Sequence, residues 1–523
     1  MMSRMKSFLG LPDASENVIH LAKIMGILGP VANVTFMISS TFYVIFVAEA
    51  LGGGPGMYLQ GMGLVGVLVV VQMATQTIFD YPTGAIGDWI GQRWVISSAS
   101  LFYALSFLMV SFVTTTTPFL YLVLIYVLQG FAQSQLSGAW GAWFDNNYRV
   151  AMPGDSDRKQ YGVFIGRMGM IMQVVATAAL IPGGILATLV SRAWVFQLQA
   201  ILAAVSGVIA FTLVRDFPEV EEERRARNGG AKPKMSDYTR ILKDGVSFLV
   251  SEPFVRYIIV GSMLVASSIM VWGNLILFPM YFLYLITDVA VASFRTLLFV
   301  PGIFAQERSG VWSRRFEPKK WIPRFRLIQT CGLAFFWMFA AIMFFLPPST
   351  DPTNVLVLTW PLTDIELLRL PVENVLPVTI IFLTFTATSF FGGFAEVLTQ
   401  RVLLDVIPNR IRNSMYSLSP TISMLFAMPQ IAVFGWLINI IGFPLTLMSC
   451  GVISLIGVIL VAHGLKQPVP ENDEATWSSQ EGSLAVESTP VEEVDISDNT
   501  IDEETLSDDA EVLAPIEKPL ADE

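Results

Sequence analysis

Long apolar runs alternate with short polar segments along the chain. A helix that crosses the hydrocarbon core needs about 20 mostly apolar residues, and we place runs of that length near Met25, Met57, Trp94, Pro118, Tyr161, Trp194, Phe254, Val289, Leu327, Asn374, Met415 and Gly442. The runs are continuous, whereas strands of a membrane barrel alternate apolar and polar positions. The pattern therefore predicts an all-α polytopic membrane protein with twelve transmembrane helices.

The composition agrees with this pattern. Hydrophobic residues make up 53% of the 523 positions and charged residues only 14%, which is typical of membrane proteins. The leader up to Lys23 is polar and the run from Met25 is too long for a secretory signal, so we expect the first span to be retained. Cys331 and Cys450 both fall inside predicted spans, which argues against a disulfide framework or a thiolate metal site.

Basic residues are distributed unevenly between the connecting segments. With a cytoplasmic N-terminus, the inner loops hold most of the Lys and Arg, at Arg93, Arg149, Arg158, Lys159, 215–256, 308–326 and 401–412. Only Arg192, Arg295 and Arg369 are then assigned to the outside. Because Lys and Arg stay on the cytoplasmic side of short loops, we predict a cell-membrane protein with both termini in the cytoplasm.

Two polar segments divide the chain. The first, 219–234, is charged and contains Gly and Pro, and the stretch Ser236–Pro253 after it has apolar residues at helical spacing, typical of an interfacial amphipathic helix. The second begins at Gln467 and holds eighteen Asp or Glu against Lys518 alone. It is predicted to be disordered, either as a solubilising tail or as a partner-docking segment.

These segments give five predicted regions. They are a cytoplasmic leader (1–23), an N-terminal six-helix bundle (24–214), a cytoplasmic linker with the amphipathic helix (215–252), a C-terminal six-helix bundle (253–465) and an acidic cytoplasmic tail (466–523).

A glycine-rich motif, GAIGDWIGQR, separates the second and third apolar runs. Glycines at Gly84, Gly87 and Gly91 permit a sharp turn and a close approach of helices. Asp88 can face a helix N-terminus, and Arg93 can pair with an acidic residue. The motif predicts a charged turn at the membrane surface.

The spacing of Gly84, Asp88, Gly91 and Arg93 resembles the G-x-x-x-D-[RK]-x-G-[RK]-[RK] loop of the major facilitator superfamily. Trp89 and Gln92 depart from that pattern, since they stand where two basic residues are usual. Two further segments resemble the same family: Gly310–Lys320 is a degraded copy of the loop in the second half, and Asp405–Leu418 resembles its Ile-Pro-x-x-x-Arg start of span eleven.

The resemblance implies two six-helix bundles that rock about a central solute site. It implies that the 84–93 segment is a conformational latch, in which Asp88 caps span eleven in the outward-open state and Arg93 pairs with Asp145. It also implies that spans one, four, seven and ten line the pathway, which nominates Asn33, Ser40, Gln129, Gln133, Trp272, Asn274, Ser389 and Glu396.

Polar residues inside the predicted spans are candidates in their own right. Glu396 lies about eight residues before Leu404, roughly 12 Å from the end of span ten at 1.5 Å per residue. Burial would favour its protonated form, which suits proton coupling. The alternative is a structural ion pair with Arg401 or Arg412.

Two other features of the predicted spans are polar. Arg167, in span five, is expected to pair with Asp145 or to stay near the cytoplasmic mouth. Gln129, Gln133, Ser137 and Trp140 form one helical stripe, which either lines the pathway or supplies hydrogen bonds between helices.

The sequence lacks the usual signs of an enzyme or an ATP-driven pump, because no glycine-rich phosphate loop precedes a Lys-Ser or Lys-Thr pair. We predict a monomeric secondary transporter without cofactor, metal or nucleic-acid partner, driven by protons through Glu396 or by the solute gradient. With few charges expected in the cavity, its substrate is predicted to be a neutral or cationic drug or metabolite. The alternative is a non-transporting sensor or scaffold that presents the acidic tail.

Overall fold

A computed structural model describes residues 2–155, 159–228, 243, 246–312, 315–330, 335–349, 351, 353–361, 366–407 and 409–470. In the first half of the chain the helices are α1 (Met2–Leu9), α2 (Glu16–Met37), α3 (Tyr43–Gly52), α4 (Tyr58–Ile90), α5 (Gln92–Val110), α6 (Phe119–Leu136), α7 (Ala139–Ala151), α8 (Lys159–Leu189), α9 (Arg192–Leu213) and α10 (Pro218–Asn228). We call these helices the N-terminal half.

The C-terminal half begins at Pro253. It contains α11 (Pro253–Val271), a π-helical turn (Trp272–Ile276), α12 (Leu277–Leu285), α13 (Asp288–Trp312), α14 (Pro318–Thr330), α15 (Phe336–Phe345), a 3₁₀ turn (Val372–Asn374), α16 (Val375–Val406) and α17 (Asn409–Gly464). Helix α17 is bent at Gly442, whose φ of 77° and ψ of 174° are not helical. It therefore comprises two successive helical segments.

Most helices are long and apolar enough to cross a bilayer. The described residues contain nine such candidate spans: Glu16–Met37, Tyr58–Asp80, Gln92–Val110, Phe119–Ala151, Gln160–Leu189, Arg192–Leu213, Pro253–Leu285, Val372–Leu403 and Ser419–Gly464. The last contains the bend at Gly442. The eighth and ninth predicted runs correspond to α13, which carries several charged residues, and to the shorter helices α14 and α15. The all-α polytopic class is confirmed.

Helix starts follow local hydrogen-bonding rules. Ser15 caps α2, since its hydroxyl accepts a hydrogen bond from the Val18 amide at 3.2 Å. Ser191 caps α9 in the same way, with the Trp194 amide at 3.1 Å. Each hydroxyl satisfies an N–H group that has no partner within the helix. The first span therefore starts at Glu16, well before the predicted Met25.

Two predicted local features differ in the structure. The chain does not turn at Gly84, because α4 continues to Ile90 and the break comes at Gly91, with φ of 101°. The polar stripe predicted along span four is interrupted, since α6 ends at Leu136 and Gly138 adopts φ of 81° before α7. A left-handed glycine ends the helical register, so Trp140 does not continue the face of Gln129.

A two-stranded antiparallel hairpin was not predicted. Strand β1 (Val355–Thr359) pairs with β2 (Glu366–Pro371), with Val357 opposite Arg369. Strand β2 packs against α12 and the start of α13. The hairpin, whose strands are mostly apolar, adds a small cover at one end of the C-terminal half.

Several predictions lie outside the described residues. They concern the acidic tail beyond residue 470, most of the linker between residues 228 and 246, Cys331, Pro408 and the side chains of Arg158, Lys159 and Arg412.

The two halves pack through two helix pairs, α4 with α17 and α8 with α13. Glycines permit both contacts. A Cβ on Gly66 would lie 2.7 Å from the Ile431 carbonyl oxygen, and one on Gly184 would lie 2.9 Å from that of Asp288. Small residues allow helices to approach closely where the bilayer supplies no hydrophobic drive for association. One buried apolar cluster extends across both halves.

Candidate functional site

A cavity of about 530 Å³ lies between the two halves. The N-terminal half contributes Phe36, Ser40, Tyr43, Gln72, Tyr103 and Gln129, and the C-terminal half contributes Ile269, Trp272, Asn274, Phe278, Arg295 and Phe299. Its volume falls within the roughly 300–1,000 Å³ usual for small-molecule pockets. The lining is mainly aromatic, with a few polar groups.

Irregular backbone places several of these side chains at the cavity. Residues 38–42, which separate α2 from α3, carry Ser40, and its hydroxyl donates to the Met37 carbonyl at 2.9 Å. The π-helical turn presents both Trp272 and Asn274. Interrupted helices are frequent at functional sites because they redirect side chains. Both halves thus depart from regular helix at the cavity wall.

The N-terminal wall contains a hydrogen-bonded aromatic group. Tyr43 donates its hydroxyl to Gln129 Oε1 at 3.1 Å, and its ring lies 6.0 Å from that of Tyr126. Tyr103 donates to Gln133 Oε1. Gln129 therefore faces the cavity, whereas Gln133 binds a neighbouring helix and is not part of the lining.

Arg295 lies in the second turn of α13 and lines the cavity. Its assignment to an outer loop from the sequence is wrong. Its guanidinium lies over the rings of Phe299, at 4.5 Å, and Phe385, at 5.1 Å. The Nη1 atom is buried and has no hydrogen-bond partner in the described part of the chain. The reason for expecting a neutral or cationic substrate, few charges in the cavity, is therefore lost.

The structure brings together only part of the nominated set. Ser40, Gln129, Trp272 and Asn274 line the cavity. Asn33 and Ser389 are not in its lining, and each donates to a carbonyl of its own helix, Gly29 at 3.1 Å and Phe385 at 3.0 Å. Trp140 packs edge-on against Trp143 in α7.

Arg167 is held near the N-terminus of the chain. Its Nη1 donates to the carbonyl oxygens of Ser7 and Phe8, which come directly before Leu9, the last residue of α1. Basic side chains commonly satisfy carbonyls at helix C-termini. The sequence predicts that Arg167 either pairs with Asp145 or stays near the cytoplasmic mouth. In the structure it lies near the end of the bundle, away from the central cavity.

Glu396 borders a second cavity of about 260 Å³ within the C-terminal half. Its carboxylate accepts from Arg326 at 2.7 Å, and also from Gln400 at 3.1 Å. The Arg326 side chain is 7% exposed and the Glu396 side chain is 55% exposed. Glu396 is thus partly exposed, and among the described side chains its ion-pair partner is Arg326 of α14 and not Arg401. The side chain of Arg412, the other expected partner, lies outside the described residues.

The latch candidates lie at the junction of α4 and α5. The Asp88 carboxylate accepts a hydrogen bond from the side-chain amide of Gln92, with Nε2 to Oδ1 at 3.2 Å. Arg93 lies over Trp94, at 5.5 Å, and Phe211, at 5.4 Å. No ion pair joins Arg93 to Asp145, although both belong to the described residues. The predicted pair is therefore absent from this conformation, in which Arg93 stacks on α9.

Gly91 and Gly84 differ in what surrounds them. A Cβ on Gly91 would lie 3.0 Å from the Arg224 guanidinium, whereas one on Gly84 would meet nothing within 4 Å. Arg224 itself pairs with Asp216, so α10 covers the turn. Only Gly91 is required by its backbone conformation.

An ion-pair group joins the two halves away from the cavity. Arg192, at the start of α9, contacts Asp288 through two bonds of 2.8 and 2.9 Å and Glu49 through one of 2.6 Å. The exposed fractions of the three side chains are 16%, 10% and 14%. We call Glu49, Arg192 and Asp288 the clasp, and the end of the bundle that holds them the clasp end.

Sequence reasoning missed the clasp, Arg295, Arg326 and the cavity tyrosines. Arg295 carries a usable signal, because an arginine six residues inside an apolar run is costly unless it faces a cavity. The clasp has no such signal, since its residues lie near the ends of three helices that are distant in sequence. Among the described residues, no group of three or more His, Cys, Asp or Glu is placed to hold a metal.

Comparisons with known proteins fit this architecture. A sequence profile described as Major Facilitator Superfamily matches residues 27–364, more than half of the chain. A search of curated proteins found no significant match.

Solved transporter structures share the fold at low sequence identity. A D-xylose-proton symporter has a TM-score of 0.59 at 13% identity, covering 87% of this chain and 99% of that one. The nucleoside transporter NupG has a TM-score of 0.53 at 14% identity, covering 87% of this chain and 100% of that one. The inward-open xylose transporter XylE from E. coli has a TM-score of 0.56 at 12% identity, covering 88% of this chain and 99% of that one.

Proposed function

The chain belongs to the major facilitator superfamily, and we propose that it binds one small organic solute between its two halves and carries it across the membrane by alternating access. It is a multi-pass membrane transporter, not an enzyme. The solute we propose is of drug or metabolite size. The observation that carries the proposal is the 530 Å³ cavity, whose walls come from both halves.

The clasp gives the proposed cycle a defined gate. Arg192 of the N-terminal half holds Asp288 of the C-terminal half, so the clasp end is closed. Since the six candidate spans of the N-terminal half cross the membrane in alternation, a cytoplasmic N-terminus puts the clasp on the outer side. In our proposal the clasp breaks when the site opens outward, and both termini remain cytoplasmic.

The 84–93 segment is proposed as the latch for the opposite side. In the outward-open state Asp88 would cap the start of the eleventh span, and Arg93 would exchange its contact with Phe211 for an ion pair with Asp145. Gly91 supplies the turn that this movement needs.

Glu396 is the proposed proton-coupling residue. Its partner Arg326 stabilises the carboxylate, and protonation would abolish that ion pair. Because the pair borders the second cavity, its loss would alter packing between α14 and α16. The D-xylose-proton symporter named above couples sugar to protons on the same fold, which supports the proposal by analogy only.

Distance measurements between the halves test the proposal. Spin labels at Val190 and Leu376 would report on the clasp end, and labels at Val163 and Val250 on the opposite end, in full-length protein with Cys450 and Cys331 replaced by Ser. All four label sites are exposed. Samples would be screened at pH 5.5 and 7.5 with drugs, amino acids, sugars, organic acids and peptides, first for thermal stabilisation and then for distance.

Alternating access predicts that a stabilising compound lengthens one pair of distances and shortens the other. The Glu396→Gln variant should bind the compound but lose the response to pH. A single, unchanging distance at both ends under every condition, with no stabilising compound, would contradict transport and favour the scaffold alternative.

A further inference from the structure

The donors and acceptors that line the central cavity are out of balance. Arg295 Nη1 and Trp272 Nε1 are both buried donors without a hydrogen-bond partner among the described residues. The hydroxyls of Tyr126 and Tyr281 are also buried without a partner, and Tyr281 lies beside Arg295, but these groups are neutral and can donate as well as accept. Arginine and the indole nitrogen can only donate hydrogen bonds. Buried donors that lack acceptors carry a free-energy cost, which a ligand with acceptor oxygens would remove.

The charge of the cavity is equally one-sided. Among the described residues that line the cavity, Arg295 is the one charged side chain, and no Asp or Glu is present. A buried guanidinium without a counter-ion is unfavourable, and stacking on Phe299 and Phe385 offsets only part of that cost. The cavity is therefore electrostatically complementary to an anion.

The two donors share one aromatic neighbour. Phe385 touches both of them, with its ring 5.1 Å from the Arg295 guanidinium and 5.9 Å from the Trp272 ring. Arg295 and Trp272 consequently flank the same part of the C-terminal wall. A planar carboxylate matches the fork of a guanidinium and has acceptor capacity left for an indole N–H.

The remainder of the cavity favours an apolar body. Phe36, Tyr43, Tyr103, Phe107 and Phe278 line the space toward the N-terminal half. Such rings bind apolar or aromatic surface through stacking and burial. Amide and hydroxyl groups at Gln72, Gln129 and Ser40 can hydrogen-bond one further polar group of the solute.

We propose that the solute is an amphipathic organic anion whose carboxylate binds Arg295 and Trp272 and whose apolar body fills the aromatic part of the cavity. The proposal rests on the transporter function proposed above and specifies its substrate class. It replaces the neutral or cationic substrate expected from the sequence.

Paired ligands test the proposal on full-length, detergent-purified protein. The probes are benzoate, 3-phenylpropionate and 4-biphenylcarboxylate, each compared with its primary amide, and 3-phenylpropylamine as a cation. Thermal stabilisation and quenching of tryptophan fluorescence give two readouts. We expect saturable binding of at least one carboxylate, with its amide and the amine about thirtyfold weaker or worse, the loss typical of leaving a buried charge unpaired.

Variants assign the effect to the cavity. Arg295→Gln should reduce carboxylate affinity about tenfold or more, Arg295→Lys should retain part of it, and Trp272→Phe should reduce it less than Arg295→Gln. Arg256→Gln is the matched control, since Arg256 stacks on Tyr257 at 5.2 Å outside the cavity. If Arg295→Gln does not fold, the Lys and Phe variants carry the test.

Several outcomes would overturn the proposal. They are equal stabilisation by carboxylate and amide, preference for the amine, stabilisation by sodium chloride or phosphate alone at matched ionic strength, or carboxylate binding that Arg295→Gln leaves intact. The distance measurements separate this proposal from the transporter function. Carboxylate binding without any change in distance would contradict transport alone, whereas a distance change driven by a cation or a neutral solute would contradict the anion alone.

Discussion

Arg192 and Asp288 form a two-point ion pair, with Nε to Oδ2 at 2.8 Å and Nη2 to Oδ1 at 2.9 Å, that ties the start of α9 to the start of α13. The planar fork of the guanidinium matches the carboxylate, so the pair fixes orientation as well as distance. Glu49 adds a second carboxylate at 2.6 Å. The link between the two halves is therefore directional, and it can break as one unit.

Asp288→Asn should open the clasp end. The change removes a charged acceptor from Arg192, at a cost of about 1.5–3 kcal/mol, while Glu49 keeps its ion pair with the same guanidinium. A cost of this size is about a quarter to a half of the roughly 5.5 kcal/mol needed to reverse a 1:99 population, so it shifts the equilibrium toward the open state without reversing it. We expect the distance between labels at Val190 and Leu376 to shift to longer values. Asp351→Asn is the control, because Asp351 is exposed and binds only its own loop at Thr353. An unchanged distance distribution in Asp288→Asn would refute the gate.

Gly184→Ala should separate α8 from α13. The added methyl would lie 2.9 Å from the Asp288 carbonyl oxygen and 3.0 Å from Ala292 Cβ, so backbone must move. Overpacking of this kind costs about 1–3 kcal/mol, seen as a lower melting temperature and a longer distance at the clasp end. Gly169→Ala, with nothing within 4 Å of its added methyl, should be neutral or slightly stabilising. Equal effects of the two changes would contradict the close-approach argument.

Glu396→Gln should lower stability and remove a pH response. Arg326 would keep its buried position but lose a charged acceptor, at a cost of about 1.5–3 kcal/mol. The ion pair favours the carboxylate form of Glu396, so the parent should keep the pair at both pH 7.5 and pH 5.5. It should lose stability only below about pH 4.3, the ordinary range of a glutamate side chain, and the variant should lack this acid-induced loss. Thermal unfolding at pH 7.5, 5.5 and 4.0 measures this, with the exposed Glu373→Gln as the control. A pH response that survives in Glu396→Gln would exclude this residue as its source.

Gly91→Ala should be more damaging than Gly84→Ala. Gly91 has φ of 101°, where a side chain costs about 1–2 kcal/mol, and its added methyl would press on Arg224. Gly84 lies inside α4, toward its C-terminal end, with open space around it, so alanine there should stabilise the helix slightly. Melting temperatures of the two variants compare the costs directly. If Gly84→Ala were the worse variant, the turn would need a different explanation.

Deleting the chain after Gln467 separates the two functions predicted from the sequence. The cavity, the clasp and the Glu396 pair all precede this point, so ligand binding and distance changes should match those of the full chain within error. A scaffold that acts through its acidic tail would lose partner binding on deletion. Loss of ligand-driven distance changes in the shortened protein would argue against an autonomous transporter body.

Much of the architecture could be predicted because the bilayer constrains sequence locally. A segment that crosses hydrocarbon must be apolar and must satisfy its own backbone, so the runs near Trp94, Trp194 and Phe254 can be recognised without any tertiary contact. The motif Gly84–Arg93 predicted a turn, and the helix break lies within it. Only the structure showed that the break comes at Gly91. Spans eight and nine were the least certain, because α13 is rich in charge and α14 and α15 are short.

The sequence by itself determined the helical membrane class and the family resemblance, since both depend on composition and on residue spacing within single segments. Only the tertiary structure decided which polar groups meet. Arg192 reaches Asp288 across 96 positions and Arg326 reaches Glu396 across 70, and Arg295 faces a cavity that exists only when both halves pack. Ion pairs and cavity walls depend on the rotation and depth of helices distant in sequence, and no local pattern fixes these quantities.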